Sequence, residues 1–295
     1  MALAAPIHAR LQVAADEPVG HTAVALHTYL AMVAGGSALD VVADAQRAHA
    51  VRCLRGTAAE GLPVLAAVAP FRAGGRGGPA NFVDIGPGPV VRRDVSGLYV
   101  FPNGVAIVEI TGAGLREWLE RGASAFRTLR PGVTDQPLLD PAFPSYNFET
   151  VDGLDWTVDP TRPPRTDAEG RVVDAGALRV GDLRHEGRLV DDADLFALAT
   201  NSYRLSSGGG FAAALGARRL MESPRQVRDV VLAHIRAGSV APAPRPRWRF
   251  VSLPGTAAWF DTGPGVLPHL ASAEGRVIED MGLTPDGFRR LSLWF

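Results

Sequence analysis

The sequence contains no lysine, so all 30 basic residues of the 295-residue chain are arginine. This excludes Schiff-base chemistry and a P-loop, because both depend on a lysine amine. One cysteine, Cys53, excludes an internal disulfide and a thiolate zinc site. Any basic side chain that meets a phosphate or carboxylate is therefore an arginine, whose planar guanidinium offers several donors.

Motifs for metal binding and for nucleophilic catalysis are also missing. The seven histidines are scattered singly, without HExxH, Asp-x-His or a Cys/His cluster, and neither GxSxG nor SxxK occurs. We therefore expect no catalytic residue, no metal and no other cofactor on this chain. The net charge of −1 provides no field that attracts nucleic acid polymers or anionic membranes, so we expect neither as a partner.

The N-terminal residues lack the charged segment and apolar run of a signal peptide, and no stretch is long and apolar enough to span a bilayer. On this ground we expect a cytoplasmic location for the chain if it is expressed as it stands.

Apolar patterning predicts a mixed α/β (α+β) fold. Buried strands are predicted at 63–70, 97–101, 104–110 and 194–200. Helices are predicted at 21–34, 38–56, 111–127 and, from a capping box at Ser223 with Pro224 at the first helical position, 223–237. Asp152-Gly153 indicates a hairpin between its flanking apolar runs.

Composition divides the chain into four parts. We predict an N-terminal linker remnant, a main domain with a mixed sheet and flanking helices, a proline-rich linker, and a small strand–helix–strand appendage, at 1–20, 21–238, 239–247 and 248–295.

Two glycine-rich segments each follow a predicted strand. Arg72 and Arg76 lie in FRAGGRGG, where glycines allow close backbone approach to an anion and arginine provides a bidentate fork. The alternative is a tight surface turn with solvated arginines. Tyr203 precedes Gly208, Gly209 and Gly210, whose backbone entropy cost favours contact with a ligand or, alternatively, a mobile loop.

A third segment, Phe101-Pro102-Asn103, follows the predicted strand at 97–101. Its ring could stack on a nucleobase while the Asn103 amide reads the base edge. The alternative is a core phenylalanine beside a turn-forming asparagine.

Five blocks together resemble one family. They are, in order, VVADAQRAHAVRCLRGT, VLAAVAPFRAGGRGGP, LYVFPNGVAIVEITGAGLREWLE, FPSYNFETVDGLDWTVD and ALATNSYRLSSGGGF. They look like the C-terminal domain of 5′-nucleotidases, in particular the branch of 2′,3′-cyclic-nucleotide 2′-phosphodiesterase/3′-nucleotidases. The resemblance runs from about 21 to 237 and continues in the tail.

The resemblance implies a substrate-recognition site for nucleosides or nucleotides such as 3′-AMP and 2′,3′-cyclic nucleotides. Phe101 and Tyr203 match the two aromatic residues that sandwich the base. Asn103 is expected at the base or ribose edge. Arg76 matches the loop arginine that approaches the phosphate, whereas for Arg72 only the loop matches.

The glycine turn is implied to pass beneath the ribose, and here the chain departs from the family. Gly209 stands where the 5′-nucleotidase branch has a ribose-binding aspartate. Ser207 and Gly210 replace the usual glycine and asparagine of the cyclic-nucleotide branch. The resemblance therefore assigns Ser207 and Gly208–Gly210 to the sugar while leaving their contacts open.

Enzymes of this family are periplasmic and hydrolyse phosphoesters at a pair of divalent metals (of the Mn, Zn or Mg type) on an N-terminal metallophosphoesterase domain, whose Asp-x-His and Gly-Asn-His motifs are missing here. The resemblance thus implies a partner domain in cis or in trans, and binding without turnover by this chain alone. The alternatives are a stand-alone nucleotide-binding module and a relic that no longer binds.

Overall fold

The structure, a computed structural model, describes residues 12–242, 247–273 and 275–295. Its strands are β1 Pro18–Thr22, β2 Leu26–His27, β3 Val64–Val68, β4 Asp84–Ile85, β5 Gly88–Val91, β6 Gly104–Thr111, β7 Thr150–Asp152, β8 Asp155–Val158, β9 Val180–His185, β10 Arg188–Leu189, β11 Leu195–Asn201, β12 Arg218–Gln226, β13 Trp248–Phe250, β14 Ala257–Thr262, β15 Val277–Leu283 and β16 Arg289–Trp294.

Helices are interspersed among these strands. The α-helices are α1 Ser37–Leu54, α2 Arg92–Leu98, α3 Gly112–Ala123, α4 Ser202–Leu205, α5 Ala212–Gly216 and α6 Val227–Arg236. The 3₁₀ helices are Gly75–Gly77, Ser145–Asn147, Gly208–Gly210 and Pro264–Ser272. The predicted mixed α/β class is confirmed. Within the described part of the chain, no helix combines the length and apolar character needed to cross a membrane.

A five-stranded mixed sheet in the order β12-β6-β11-β3-β7 forms the centre of the fold. β3 and β11 are parallel, and the other neighbouring pairs are antiparallel. Alternate residues of β6 enter two different cores, with Val108 on one face and Ile107 on the other. Because both faces are buried, the strands read as continuous apolar runs, which is why β3, β6 and β11 were predictable.

Helices cover the two faces of this sheet. α1 and α6 lie on one face, whereas α3 buries Leu115, Trp118 and Leu119 on the other. α3 begins as predicted, because the Thr111 side chain accepts a hydrogen bond from the Gly114 N–H at 3.1 Å.

In the described part of the chain four smaller sheets accompany the central one, and two of them are two-stranded ribbons, β1-β5 and β2-β4. The order β10-β9-β8-β13 brings β13 parallel to β8, and β14-β16-β15 forms an antiparallel sheet. Phe260, Leu291 and Leu293 of the latter belong to the same buried cluster as Trp118. The 248–295 segment is therefore packed against the main core. Residues 243–246 of the predicted linker and 1–11 of the predicted N-terminal remnant lie outside the described residues.

The predicted helix at 21–34 is wrong. Leu26 and His27 pair with β4, and the His27 N–H donates to Ser37 Oγ at 3.2 Å. Leu30 and Val33 then enter the core from successive turns. Tertiary pairing consumes the backbone groups that a helix would have used, while the apolar spacing still resembles that of a helix.

Three other local predictions also fail. Residues 97–98 end α2, so no strand spans 97–101. Ser223 and Pro224 belong to β12, an edge strand that tolerates proline, and α6 begins at Val227. Gly153, with φ +96°, connects β7 to β8 in different sheets instead of closing a hairpin.

The β2–β4 ribbon meets the C-terminal segment through a histidine pair. His27 and His269 have ring centroids 4.3 Å apart, Ser272 Oγ lies 3.2 Å from His27 Nε2, and His269 Nε2 lies 3.2 Å from Asp84. Burial, followed by the charge of His269, lowers the pKa of His27 to about 4.

This depressed pKa predicts acid sensitivity. The unfolded chain takes up the proton near pH 6.5 and the folded chain only near pH 4, so stability present above pH 6.5 is lost between these values, by at most about 3 kcal/mol. Urea unfolding across this window should show a shallower pH dependence for His27→Phe than for the wild type. The exposed control His21→Gln should retain the wild-type slope, and an unchanged slope in His27→Phe would contradict the prediction.

Candidate functional site at one edge of the central sheet

The three segments singled out from the sequence lie at one edge of the central sheet, namely the edge formed by the C-terminal ends of β3 and β11. β3 and β11 are parallel, so both end at this edge, and antiparallel β6 begins there. Val105 lies opposite Asn201, and the Gly104 N–H donates to Ser202 Oγ at 3.1 Å. The FRAGGRGG loop, Phe101-Pro102-Asn103 and the Tyr203 turn are therefore neighbours in the fold although they are distant in sequence.

Phe101 is the exposed end of an aromatic row. Its ring meets Phe71 edge to face at 5.2 Å, and Phe71 meets buried Tyr99 at 4.8 Å. Phe101 remains 43% exposed, so it is not the core phenylalanine of the alternative interpretation. A packed edge with an accessible side is suited to stacking on a ligand ring.

Tyr203 is the second exposed ring, at 46% exposure. It lies in α4, which begins where Asn201 Oδ1 accepts the Arg204 N–H at 3.2 Å. The chain folds back under this ring at Gly208, where an added Cβ would lie 2.4 Å from ring carbons. Gly208 is thus required for the close approach of the turn to Tyr203.

Asn103 has a structural role as well as a position at the site. Its side-chain amide donates to the Tyr99 hydroxyl at 3.4 Å, and its carbonyl accepts the Val227 N–H at 2.9 Å. Burial raises the pKa of Tyr99, which keeps this hydroxyl protonated. Asn103 therefore ties the start of β6 to α6 beside the exposed Phe101 ring.

The two arginines of the glycine-rich loop lie in different places. Arg72 donates to Asn81 Oδ1 at 3.4 Å and lines a cleft with Tyr29 and Asp84. Arg76 is exposed on the 3₁₀ helix and lines another cleft with Trp259. Within residues 12–242, 247–273 and 275–295, neither arginine forms an ion pair. The structure does not bring both guanidinium groups into one cleft.

Packing explains the glycine turn. Ser207, Gly209 and Gly210 have φ of +67°, +78° and +73°. A Cβ on Gly209 would lie 2.2 Å from Arg204 Nη1, and one on Gly210 would meet Gly170 Cα at 2.7 Å. Close packing inside the protein therefore requires glycine at positions 209 and 210, a reason that is not apparent from the sequence alone.

A buried polar network lies beneath the turn. Arg204, 1% exposed, donates through Nε to Glu149 at 2.9 Å and through Nη1 to Asn147 Oδ1 and Gly208 O at 3.1 and 3.0 Å. The other Glu149 oxygen accepts Trp118 Nε1–H at 2.8 Å. No local motif marks these residues, because a buried arginine is defined only by its tertiary partners.

Arg121 supports the same turn from α3. Its Nε donates to the Gly209 carbonyl at 2.8 Å, and its Nη2 donates to the Ala168 carbonyl at 2.9 Å. Burial, followed by the nearby Arg204 charge, lowers the pKa of Arg121 to about 10. The guanidinium therefore stays charged at neutral pH, and the backbone that carries Tyr203 rests on two buried cations.

Metal-ligating side chains are not clustered in the described part of the chain: it contains no group of three or more His, Cys, Asp or Glu residues arranged to hold an ion. The candidate site instead consists of aromatic faces, amides and arginines. Such a set can bind an aromatic ring and an anion.

Comparison with known families identifies the domain. The sequence model described as "5′-nucleotidase, C-terminal domain" matches residues 18–216. This range contains the sheet edge and all of the residues predicted from the sequence to bind substrate.

Similar proteins are longer phosphoesterases. The chain is 34% identical over 260 residues to the trifunctional nucleotide phosphoesterase protein YfkN of Bacillus subtilis, covering 88% of this chain and 18% of YfkN. It is 33% identical over 276 residues to a 2′,3′-cyclic-nucleotide 2′-phosphodiesterase/3′-nucleotidase of Haemophilus influenzae, covering 89% and 42%. The Salmonella typhimurium protein of the same name is 34% identical, covering 85% and 40%. The chain thus spans less than half the length of these relatives.

Solved structures share the fold. A putative 5′-nucleotidase from Staphylococcus aureus superposes with a TM-score of 0.62 at 17% identity, covering 82% of this chain and 42% of its own. A 5′-nucleotidase precursor from Thermus thermophilus has a TM-score of 0.62 at 14% identity, covering 83% and 41%.

Proposed function

Because the chain belongs to the 5′-nucleotidase C-terminal domain family, we propose that it is the nucleotide-recognition half of a 2′,3′-cyclic-nucleotide 2′-phosphodiesterase/3′-nucleotidase. The observation that carries this proposal is that two exposed aromatic residues, Phe101 and Tyr203, lie on segments that flank β6 and β11 at the same edge of the central sheet. In this proposal a purine or pyrimidine stacks between the two rings, with a stacking contribution of roughly 1–3 kcal/mol per face.

Polar groups beside the rings are assigned to the rest of the nucleotide. Asn103 lies two residues after Phe101 and is assigned to the base or ribose edge, while its amide also donates to the Tyr99 hydroxyl. Ser207 and the Gly208–Gly210 turn pass beside Tyr203, on the side assigned to the ribose. The exposed guanidinium of Arg76 is assigned to the phosphate, because it makes no ion pair in the described part of the chain. Arg72 is a weaker candidate, since Asn81 already accepts its Nε–H.

The chemical step is assigned to another domain. The relatives extend well beyond the matched region, and we propose that the phosphoester is presented to a two-metal centre on a metallophosphoesterase domain, in cis or in trans. There the metals would activate water and neutralise the developing charge. This chain contributes binding and orientation and holds no cofactor itself; as part of a full-length enzyme it would share the family's periplasmic location.

The proposal predicts binding without turnover. The purified chain should bind 3′-AMP in a calorimetric titration, yet in the presence of Mn²⁺ it should release no more product from 3′-AMP or bis-p-nitrophenyl phosphate than a protein-free blank. Metal-dependent turnover by the chain alone would contradict the assignment of chemistry to another domain. Absence of 3′-AMP binding at millimolar concentration would contradict the recognition role and leave the relic as the better interpretation.

A further inference from the structure

A cleft of about 690 Å³ lies between the glycine-rich loop and the C-terminal sheet. Arg76 lines it from the loop, Phe143 and Arg127 line it from the main domain, and Trp259 and Phe288 line it from the C-terminal segment. Its volume is within the range of small-molecule sites, about 300–1,000 Å³. Neither Phe101 nor Tyr203 lines this cleft.

Backbone contacts hold the walls of the cleft in place. Leu138 N–H donates to the Trp259 carbonyl at 2.8 Å, and Trp259 N–H donates to the Gln136 carbonyl at 2.9 Å. On the other side, Gly74 lies so close to Phe288 that an added Cβ would be 3.1 Å from its ring. The cleft is therefore a preformed feature of the packing between the two parts of the chain.

The lining combines aromatic rings with two arginines, Arg76 and Arg127, and three aspartates, Asp140, Asp261 and Asp286. Trp259 and Phe288 are half-buried and so retain accessible surface. The Arg290 guanidinium lies 3.7 Å from the Trp259 ring centroid and is fixed there by two bonds to Asp261, at 2.8 and 2.9 Å. This pairing neutralises Asp261. Arg127 is exposed and makes no ion pair in the described portion of the chain, as is also true of Arg76.

We propose that this cleft is a second binding site, which takes a planar aromatic ligand that carries an anionic group. The ring packs against Trp259 and Phe288, and the anion meets the Arg127 guanidinium. Trp259 and Phe288 lie outside residues 18–216, the range matched by the family's C-terminal domain. The C-terminal segment therefore supplies a recognition surface of its own, in addition to the pair of rings at the sheet edge.

Phenyl phosphate is a suitable probe, since it joins a flat ring to a phosphate. We would titrate it calorimetrically into the full chain carrying Phe101→Ala and Tyr203→Ala, which removes the proposed base-stacking site but leaves Arg76 intact. The expected result is 1:1 binding that quenches tryptophan fluorescence. Adding Trp259→Ala should weaken binding on the order of tenfold, as expected for loss of one stacking face, and Trp259→Phe should restore most of it.

Matched controls separate this proposal from general effects. Trp294→Ala removes a tryptophan of the same sheet that does not line the cleft, and should leave the affinity unchanged. Cyclohexyl phosphate, which has the same anion on a non-planar ring, should bind more weakly than phenyl phosphate. Absence of saturable binding to the Phe101→Ala/Tyr203→Ala chain, or binding unaffected by Trp259→Ala, would overturn the proposal. If phenyl phosphate still binds but the wild-type chain does not bind 3′-AMP, the proposed base-stacking site fails and the proposal of a second site in the cleft stands.

Discussion

Replacing Arg204 with methionine should lower the free energy of unfolding by about 3–5 kcal/mol, the cost typical of removing one partner from a buried ion pair. The substitution leaves Glu149 buried without its cation, and leaves the Asn147 and Gly208 oxygens without a donor. Methionine has a similar length and is apolar, so the effect measures the polar network more than a cavity. Urea denaturation followed by circular dichroism would measure the change.

Two companion variants test this interpretation of the Arg204 network. Arg218→Met removes an exposed arginine that pairs with Glu109, and should cost far less than Arg204→Met, because solvent screens an exposed ion pair. Glu149→Gln in the Arg204→Met background should recover part of the loss, because it removes the uncompensated charge. A cost for Arg204→Met no larger than that for Arg218→Met would mean that the network does not stabilise the turn.

Removing either exposed ring should weaken 3′-AMP binding. For Phe101→Ala and for Tyr203→Ala separately, we expect a loss of about 1–3 kcal/mol, roughly five- to 150-fold in Kd, since each deletes one stacking face. Both side chains are more than two-fifths exposed, so truncation should leave the fold intact. Calorimetric titration of each variant measures the effect, and thermal unfolding confirms that stability is retained.

Conservative and remote substitutions provide the controls for the stacking variants. Tyr203→Phe keeps the ring and should bind like the wild type if stacking dominates. Trp294→Ala removes an exposed ring on a different sheet and should have no effect. Wild-type affinity in both alanine variants would contradict base recognition by these rings.

Sequence patterns predicted the parts of the fold in which local and tertiary preferences agree. The strand at 104–110 and the helix beginning after Thr111 are confirmed, since an apolar run and a capping residue each specify the observed element. The segment 21–34 failed because its apolar spacing arises from turns that bury Leu30 and Val33. Such spacing cannot be distinguished from a helix without knowing that Leu26 pairs with Ile85.

Sequence patterns singled out the two exposed aromatic residues of the candidate site, whose role in binding remains a prediction, but not the buried residues that support them. Tyr203 follows β11, which ends at this edge, whereas Phe101 precedes β6, which begins there, and the strand predicted at 97–101 does not form. Arg204 and Arg121 could not be singled out, because burial of an arginine depends on carbonyls and carboxylates contributed by distant segments. The sequence also placed Arg72 and Arg76 together in one loop, whereas the turn directs them into different clefts.

Gly209, one of the positions at which this chain departs from the 5′-nucleotidase branch, packs directly against the buried polar network of Arg204. That branch is expected to carry a ribose-binding aspartate at this position. Here any side chain would overlap Arg204 Nη1 and Asn147 Oδ1, at 2.2 and 2.3 Å from its Cβ, in a backbone conformation with φ +78°. The buried arginine and the glycine therefore fit each other, and a Gly209→Asp substitution requires the turn to move.

The most direct measurement is the detection of intermolecular nuclear Overhauser effects between 3′-AMP and the full chain, with phenylalanine, tyrosine and tryptophan rings labelled selectively. We predict contacts from the adenine H2 and H8 protons to the rings of both Phe101 and Tyr203. Each set should vanish in the corresponding alanine variant. Contacts of the adenine with Trp259 and Phe288, in the absence of any with Phe101 and Tyr203, would contradict base recognition at the sheet edge.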